Sequence, residues 1–178
     1  MCSSDLGDDP YPYHLVLKNL SDGTVADSHT VQGESYQLVL QAQGEVDRAA
    51  QPRWVYVLGI DCRGRGQLLY PRTGGENKFP NDAGRPSAIP LPGVRIKIGP
   101  PLGLDTYILL TTATPLPDPG ILEFQGAATR SARVGPPNPL EQLLGSASSG
   151  TRGAEVEMPT DWSIQYLHAQ SVPKPQSP

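Results

Sequence analysis

The chain has 178 residues, enough for one domain with a sizeable hydrophobic core. A formal net charge of -4 argues against nucleic acid as a partner, because nucleic-acid binding depends on clustered Lys and Arg side chains. No apolar run approaches the roughly 20 residues that a membrane-spanning helix needs, so no membrane span is predicted. The 19 Gly and 20 Pro residues separate short apolar runs, which is typical of an all-β domain with long turns.

Residues 1–10 are expected to be disordered or artefactual and add nothing to the fold prediction. Cys2, followed by Ser3 and Ser4, resembles the lipid-bearing start of a lipoprotein, but the apolar segment that should precede it is missing. We favour the alternative that a sequencing adapter encoded this run and that the chain is a fragment lacking an N-terminal part. The compartment stays open, with a preference for the periplasm or envelope of a bacterium.

Apolar runs, one of them partly alternating with polar residues, predict four strands in the first half of the chain, over 13–18, 27–31, 34–42 and 54–60. The fourth has large apolar side chains on both faces, so we expect it to be buried on both sides. One face carries Trp54, Tyr56, Leu58 and Ile60, and the other carries Val55 and Val57. The glycine-rich turn at 63–66 predicts a hairpin with the strand that follows.

A long polar loop over residues 73–87 is the candidate interaction site. Loops of this length in a compact domain are either functional or mobile. Its side-chain oxygens would suit calcium, but their spacing does not match a calcium-binding loop, so no metal is predicted. The residues expected to present the interaction surface are Gly74, Gly75, Glu76, Asn77, Lys78, Asn81 and Asp82.

The second half of the chain predicts strands over 94–98 and 107–110 and a closing strand over 161–168. A short run at 121–124 is either a strand or the start of a helix. One helix is predicted over 138–145, because Asn138 suits its cap, Pro139 its first position and Gly145 its exit.

These elements predict a single antiparallel β-sandwich, immunoglobulin-like in general shape, over residues 11–170. Its core is expected over 25–116, with the helix and the closing strand as a C-terminal extension and a disordered tail at 171–178. The aromatic side chains would either line a peptide groove or pack in the core, and their alternation fits the core at least as well. They are Trp54, Tyr56, Tyr70, Tyr107, Trp162 and Tyr166.

No residue pattern predicts catalysis, a cofactor or a metal site. His14, His29 and His168 lie apart, without a second ligand at metal-binding spacing. Cys62 paired with a histidine would make a thiol hydrolase, but the sequence signatures of a catalytic cysteine are absent. A disulfide between Cys62 and Cys2 also stays open, and two unpaired thiols are favoured.

The order of several short motifs resembles a known family. The motifs are Gly33-Glu34-Ser35-Tyr36, Ile60-Asp61-Cys62-Arg63-Gly64, Leu68-Leu69-Tyr70-Pro71, Asn77, Gly84, Ile89-Pro90 and Pro101-Leu102-Gly103-Leu104-Asp105-Thr106-Tyr107. Over 25–116 the chain is similar to the domain of unknown function found C-terminal to the catalytic domain of bacterial caspase-like (metacaspase-type) peptidases. That resemblance implies a non-catalytic accessory module whose partner is another protein or its own upstream peptidase domain. The peptidase's histidine and cysteine motifs do not occur in this chain.

The sequence therefore favours a protein-interaction module that acts through the loop at 73–87 or by adding a partner strand at a sheet edge. A stand-alone, lipoprotein-like binding module of the envelope is the alternative, and a thiol hydrolase using Cys62 is a third.

Overall fold

A computed structural model describes residues 11–46, 50–72, 76–81, 85–116, 119–122 and 162–175 of the chain. These residues contain ten strands and one 3₁₀ turn, at Pro119–Leu122. The strands are β1 (Tyr13–Asn19), β2 (Val25–Ala26), β3 (His29–Val31), β4 (Ser35–Ala42), β5 (Arg53–Ile60), β6 (Gly66–Tyr70), β7 (Lys78–Phe79), β8 (Ala88–Lys97), β9 (Leu104–Thr112) and β10 (Trp162–Val172).

The strands form two sheets that pack as a sandwich, which confirms the predicted fold class. One sheet has the order β2-β1-β4-β8, and the other has the order β3-β10-β9-β5-β6, with β7 pairing with the start of β5. Neighbouring strands are antiparallel, with one exception: β3 runs parallel to β10, and His29 lies opposite Gln170. The prediction of a purely antiparallel sandwich missed this pair, because its two strands lie far apart in sequence and no local pattern connects them.

The main core lies between the two sheets and includes side chains from both of them. Leu38 and Leu91 from one sheet and Val57 and Leu109 from the other are each fully buried there. Burying such side chains stabilises each by about 1.5–3 kcal/mol relative to exposure, so this layer is the main source of stability.

β5 is buried on both faces, as its sequence predicts. Val55 and Val57 point into the main core, and Tyr56 and Leu58 belong to a second apolar cluster on the outer face of the same sheet. All four side chains are buried. The period of two residues in a strand separates the two sets, so both faces of this sheet are apolar.

β8 joins two runs that look separate in the sequence, 88–92 and 94–98. Gly93 lies between them with a φ of 74°, a conformation that residues with a Cβ rarely adopt. The register of β8 against β4 shifts at this point, which identifies a β-bulge. Val94 and Ile98 are buried beyond the bulge, as the alternation predicts.

The C-terminal extension is described only in part. The predicted helix over 138–145 lies outside the described residues. The closing strand is present as β10, and it extends to Val172. Where the sequence suggested a strand or a helix start, over 121–124, the described residues end in the 3₁₀ turn at Pro119–Leu122.

Candidate interaction surfaces

The predicted interaction loop is fastened to β5 through Asn77, which is a structural residue. Gly74, Gly75 and Asp82 lie outside the described residues. Asn77 is only 5% exposed; its Nδ2 donates to the Val55 carbonyl at 3.0 Å, and its own carbonyl accepts from the Val55 N–H at 2.8 Å. Asn77 thus satisfies the backbone groups of β5 at Val55, which lies between the parts of β5 that pair with β6 and with β7. Its side chain is therefore not free to bind a partner.

The other described residues of the predicted interaction set face solvent, whereas Phe79 of the same loop is buried in the main core. Glu76, Lys78 and Asn81 are exposed. The Glu76 carbonyl accepts from the Tyr70 hydroxyl at 3.0 Å, and Lys78 Nζ lies 5.9 Å from the centre of the Trp54 ring. Both contacts hold the loop against the sheet. The loop offers a partner three polar side chains, one acidic, one basic and one neutral.

Cys62 is exposed and contacts a backbone carbonyl and a carboxylate. Its Sγ lies 3.6 Å from the Pro101 carbonyl, and its backbone N–H donates to Asp105 Oδ1 at 3.0 Å. All three histidines are described, and none has a ring nitrogen within hydrogen-bond distance of this sulfur. A nucleophilic thiol needs a base in such contact, so the thiol-hydrolase alternative lacks its central feature.

The carboxylates near Cys62 have structural partners. Asp61 accepts from the backbone N–H groups of Arg63 and Arg65 and from the Arg65 side chain, and these bonds hold the pKa of Asp61 below its ordinary value. Burial raises the pKa of Asp105, and the hydrogen bond from Cys62 opposes that shift. Both groups line a shallow cleft of about 260 Å³ between the β5–β6 turn and the end of β8. Within the described part of the chain, no three His, Cys, Asp or Glu side chains cluster as metal ligands.

The outer face of the larger sheet carries a second apolar layer. Strand register aligns its side chains in rows across β5, β9 and β10. The rows are Trp54–Thr112–Trp162, Tyr56–Leu110–Ile164, Leu58–Ile108–Tyr166 and Ile60–Thr106–His168. Of the aromatic residues singled out from the sequence, Tyr70 and Tyr107 lie in the core between the sheets, and the other four lie on this outer face.

Among the segments that the structure describes, some pack on one half of this outer face and none packs on the other half. Leu116 and Leu122 pack on the cluster around Tyr56, and the Tyr56 hydroxyl accepts from the Leu116 N–H at 2.8 Å. The face is more exposed to solvent toward β10. Tyr166 there is 64% exposed, and its ring stacks on His168 with ring centres 6.4 Å apart. The side chains that keep some exposure there, here named the outer-face patch, are the half-buried Ile60, Ile108 and Ile164 and the exposed Tyr166 and His168.

Sequence reasoning did not identify the outer-face patch. The alternation of Trp162, Ile164 and Tyr166 shows that they share a face, but the same alternation fits a side facing the main core. Only the order of strands in the sheet reveals that this face looks away from the other sheet.

No helix among the described residues is long and apolar enough to cross a membrane. Comparison with known proteins gives no significant match to a family model, a curated protein or a solved structure.

Proposed function

We propose that this chain is a non-catalytic accessory domain of a bacterial caspase-like peptidase and that it docks on the catalytic domain of that peptidase. The outer-face patch carries the proposal. Its exposed tyrosine ring, bordered by half-buried isoleucine side chains, is of the kind that protein-interaction sites use. The resemblance of residues 25–116 to the domain that follows such peptidases supports the choice of partner.

A modest patch is sufficient for docking when both partners belong to one polypeptide. A linker holds the second domain at a high effective concentration, so the contact need not be strong in isolation. Interfaces between domains of one chain are accordingly small and similar to transient interfaces. Ile108 and Tyr166, which are cross-strand neighbours at the centre of the patch, would supply the apolar contact.

The contacts of Cys62 also favour a non-catalytic role. Its sulfur faces a backbone carbonyl, and the Nδ1 atoms of His29 and His168 are engaged with Ser28 and Thr106. No described residues form a nucleophile and base pair around it, so the catalytic groups would have to come from the peptidase domain.

The test begins with the reading frame upstream of residue 1 in the source gene, which should encode a caspase-like domain with its histidine and cysteine. That domain, produced separately, is titrated with this chain by calorimetry. Ile108→Ser and Tyr166→Ser should weaken binding. Val25→Ser is the matched control, because Val25 is an exposed apolar residue, 44% accessible, on β2 of the other sheet. A frame without such a domain, no binding, or equal loss in all three variants would overturn the proposal.

A further inference from the structure

Within the described part of the chain, one edge of the last strand is unpaired along most of its length. β10 pairs with β9 over residues 162–170, whereas β3 covers its other side only over 170–172. Among the residues that the structure describes, no strand lies beside that other side of residues 162–169. Eight residues of β10 backbone therefore have no strand partner on that side among the described strands.

The orientation of the backbone groups follows from the two bonds made to the β3 segment. The Gln170 N–H donates to the Ser28 carbonyl at 2.7 Å, and the Val172 carbonyl accepts from the Gln32 N–H at 2.9 Å. Backbone groups alternate in direction along a strand, so even-numbered residues of β10 point away from β9. Trp162, Ile164, Tyr166 and His168 therefore direct their N–H and C=O groups to the free edge.

The other long edge of the sandwich is protected against strand addition, and β10 is not. β8 contains Pro90 and Pro92, a bulge at Gly93, and the basic residues Arg95 and Lys97, all of which oppose pairing with another strand. β6, at the other end of the larger sheet, has only five residues and a bulge in its pairing with β5. β10 has no proline, no charged side chain at residues 162–172 and an unbroken register with β9.

We propose that the free edge of β10 pairs with the same edge of a second copy of this chain, in an antiparallel arrangement with a two-fold axis at Gln165. This interface is separate from the docking of the peptidase and does not depend on it. Ile164 then lies opposite Tyr166 of the second copy, and Trp162 lies opposite His168. Each of these pairs joins residues whose backbone N–H and C=O groups point to the free edge, and the two-fold axis generates each pair twice. The arrangement therefore forms four hydrogen-bonded pairs and about eight backbone hydrogen bonds.

The composition of the edge favours a second copy as the occupant. Self-pairing of a strand places each side chain opposite a residue of the same strand, so a charged strand would bring like charges together. Residues 162–172 carry no Lys, Arg, Asp or Glu, and the chosen register matches an aliphatic side chain with an aromatic one. Aromatic and β-branched cross-strand pairs are among the favourable ones.

The first experiment fixes the register by disulfide formation, in a chain in which Cys2 and Cys62 are replaced by serine. Gln165→Cys places two thiols opposite each other at the two-fold axis, in a non-hydrogen-bonded pair with Cα atoms about 4.5 Å apart, which suits a disulfide. Ser163→Cys is the matched control on the same strand face. Its two copies would be separated by four residues, roughly 13 Å, which is too far. The proposal expects cross-linked dimer from Gln165→Cys and none from Ser163→Cys.

The second experiment measures mass by sedimentation over a range of concentrations. The parent chain should reach twice its 19.1 kDa mass. Tyr166→Pro removes an outward N–H and no bond to β9, so it should return the protein to the monomer with its circular dichroism unchanged. Tyr166→Ala keeps that N–H and should retain dimer, which separates the backbone contribution from the exposed ring.

Three results would overturn the proposal. A parent chain that stays monomeric at every concentration shows that the edge is not used in this way, including the case in which another part of the same chain covers it. Cross-linking by Ser163→Cys in place of Gln165→Cys contradicts the register. A dimer that survives Tyr166→Pro but is lost in Ile108→Ser is held by the outer-face patch and not by the edge. Each result is obtained without a peptidase domain and leaves the proposed docking function to its own test.

Discussion

Replacing Asn77 by alanine should destabilise the fold, although the sequence places this residue in a solvent-exposed loop. Its Nδ2 donates at 3.0 Å to the carbonyl of Val55, a residue that is itself fully buried. Alanine cannot supply that donor, and a buried carbonyl left without a partner costs about 1–3 kcal/mol. Because native proteins are typically stabilised by only about 5–15 kcal/mol, a loss of this size is a large fraction and is readily measured.

Equilibrium unfolding in urea measures this loss, and Asn81→Ala is the control. Asn81 has the same side chain in the same loop but is exposed, so its replacement should change the free energy of unfolding by less than about 0.5 kcal/mol. Asn77→Asp should be at least as damaging as Asn77→Ala, since a carboxylate facing the Val55 carbonyl cannot donate when ionised. Equal midpoints for Asn77→Ala and Asn81→Ala, with an unchanged dependence on urea, would refute the structural role of Asn77.

Two further substitutions test the packing and the charge near Cys62. Asp105→Asn should stabilise the protein at pH 7. Burial raises the pKa of Asp105, so the ionised carboxylate is disfavoured in the folded state. Asparagine keeps an oxygen that accepts the hydrogen bond from the Cys62 N–H. That gain in stability should fade as the pH falls below about 3.9, where the carboxyl is protonated in the unfolded chain as well. Urea unfolding at pH 7 and at a pH below about 3.9 measures the gain. An equal gain at the two pH values would contradict the electrostatic cause. Gly103→Ala should lower the free energy of unfolding by about 1–3 kcal/mol, because the new Cβ would lie 2.5 Å from Cys62 Cβ. Gly59→Ala, whose Cβ would meet the flexible end of Leu69 at 2.8 Å, should cost less in the same urea titration, and the reverse order would refute the steric reasoning.

The strands were predictable from the sequence because a strand has a local signature. The two-residue alternation in β5 assigns Val55 and Val57 to one face and Tyr56 and Leu58 to the other, and the structure buries both sets. The same rule identifies β4 and β10, and a continuous apolar run indicates β9.

Features that depend on distant strands could not be predicted in this way. The sequence predicts Asn77 to be part of an interaction surface because it lies in an unusually long polar loop. Its actual role arises because β6 and β7 pair with different parts of β5 and leave Val55 between them. The parallel contact of β3 with β10 has the same origin, since residues 29–31 and 170–172 meet only after the sandwich has formed.

The two surfaces proposed for function meet on β10 and use different atoms of it. Docking of a peptidase uses outer-face side chains, chiefly Tyr166, whereas pairing of two copies uses the N–H and C=O groups at the edge. In the paired arrangement Ile164 of one copy lies beside Tyr166 of the other, on the same outer face. The two outer-face patches then join into one apolar surface across the two-fold axis. A dimer would thereby present two docking patches side by side, and it would bring two peptidase domains together without any new contact between them.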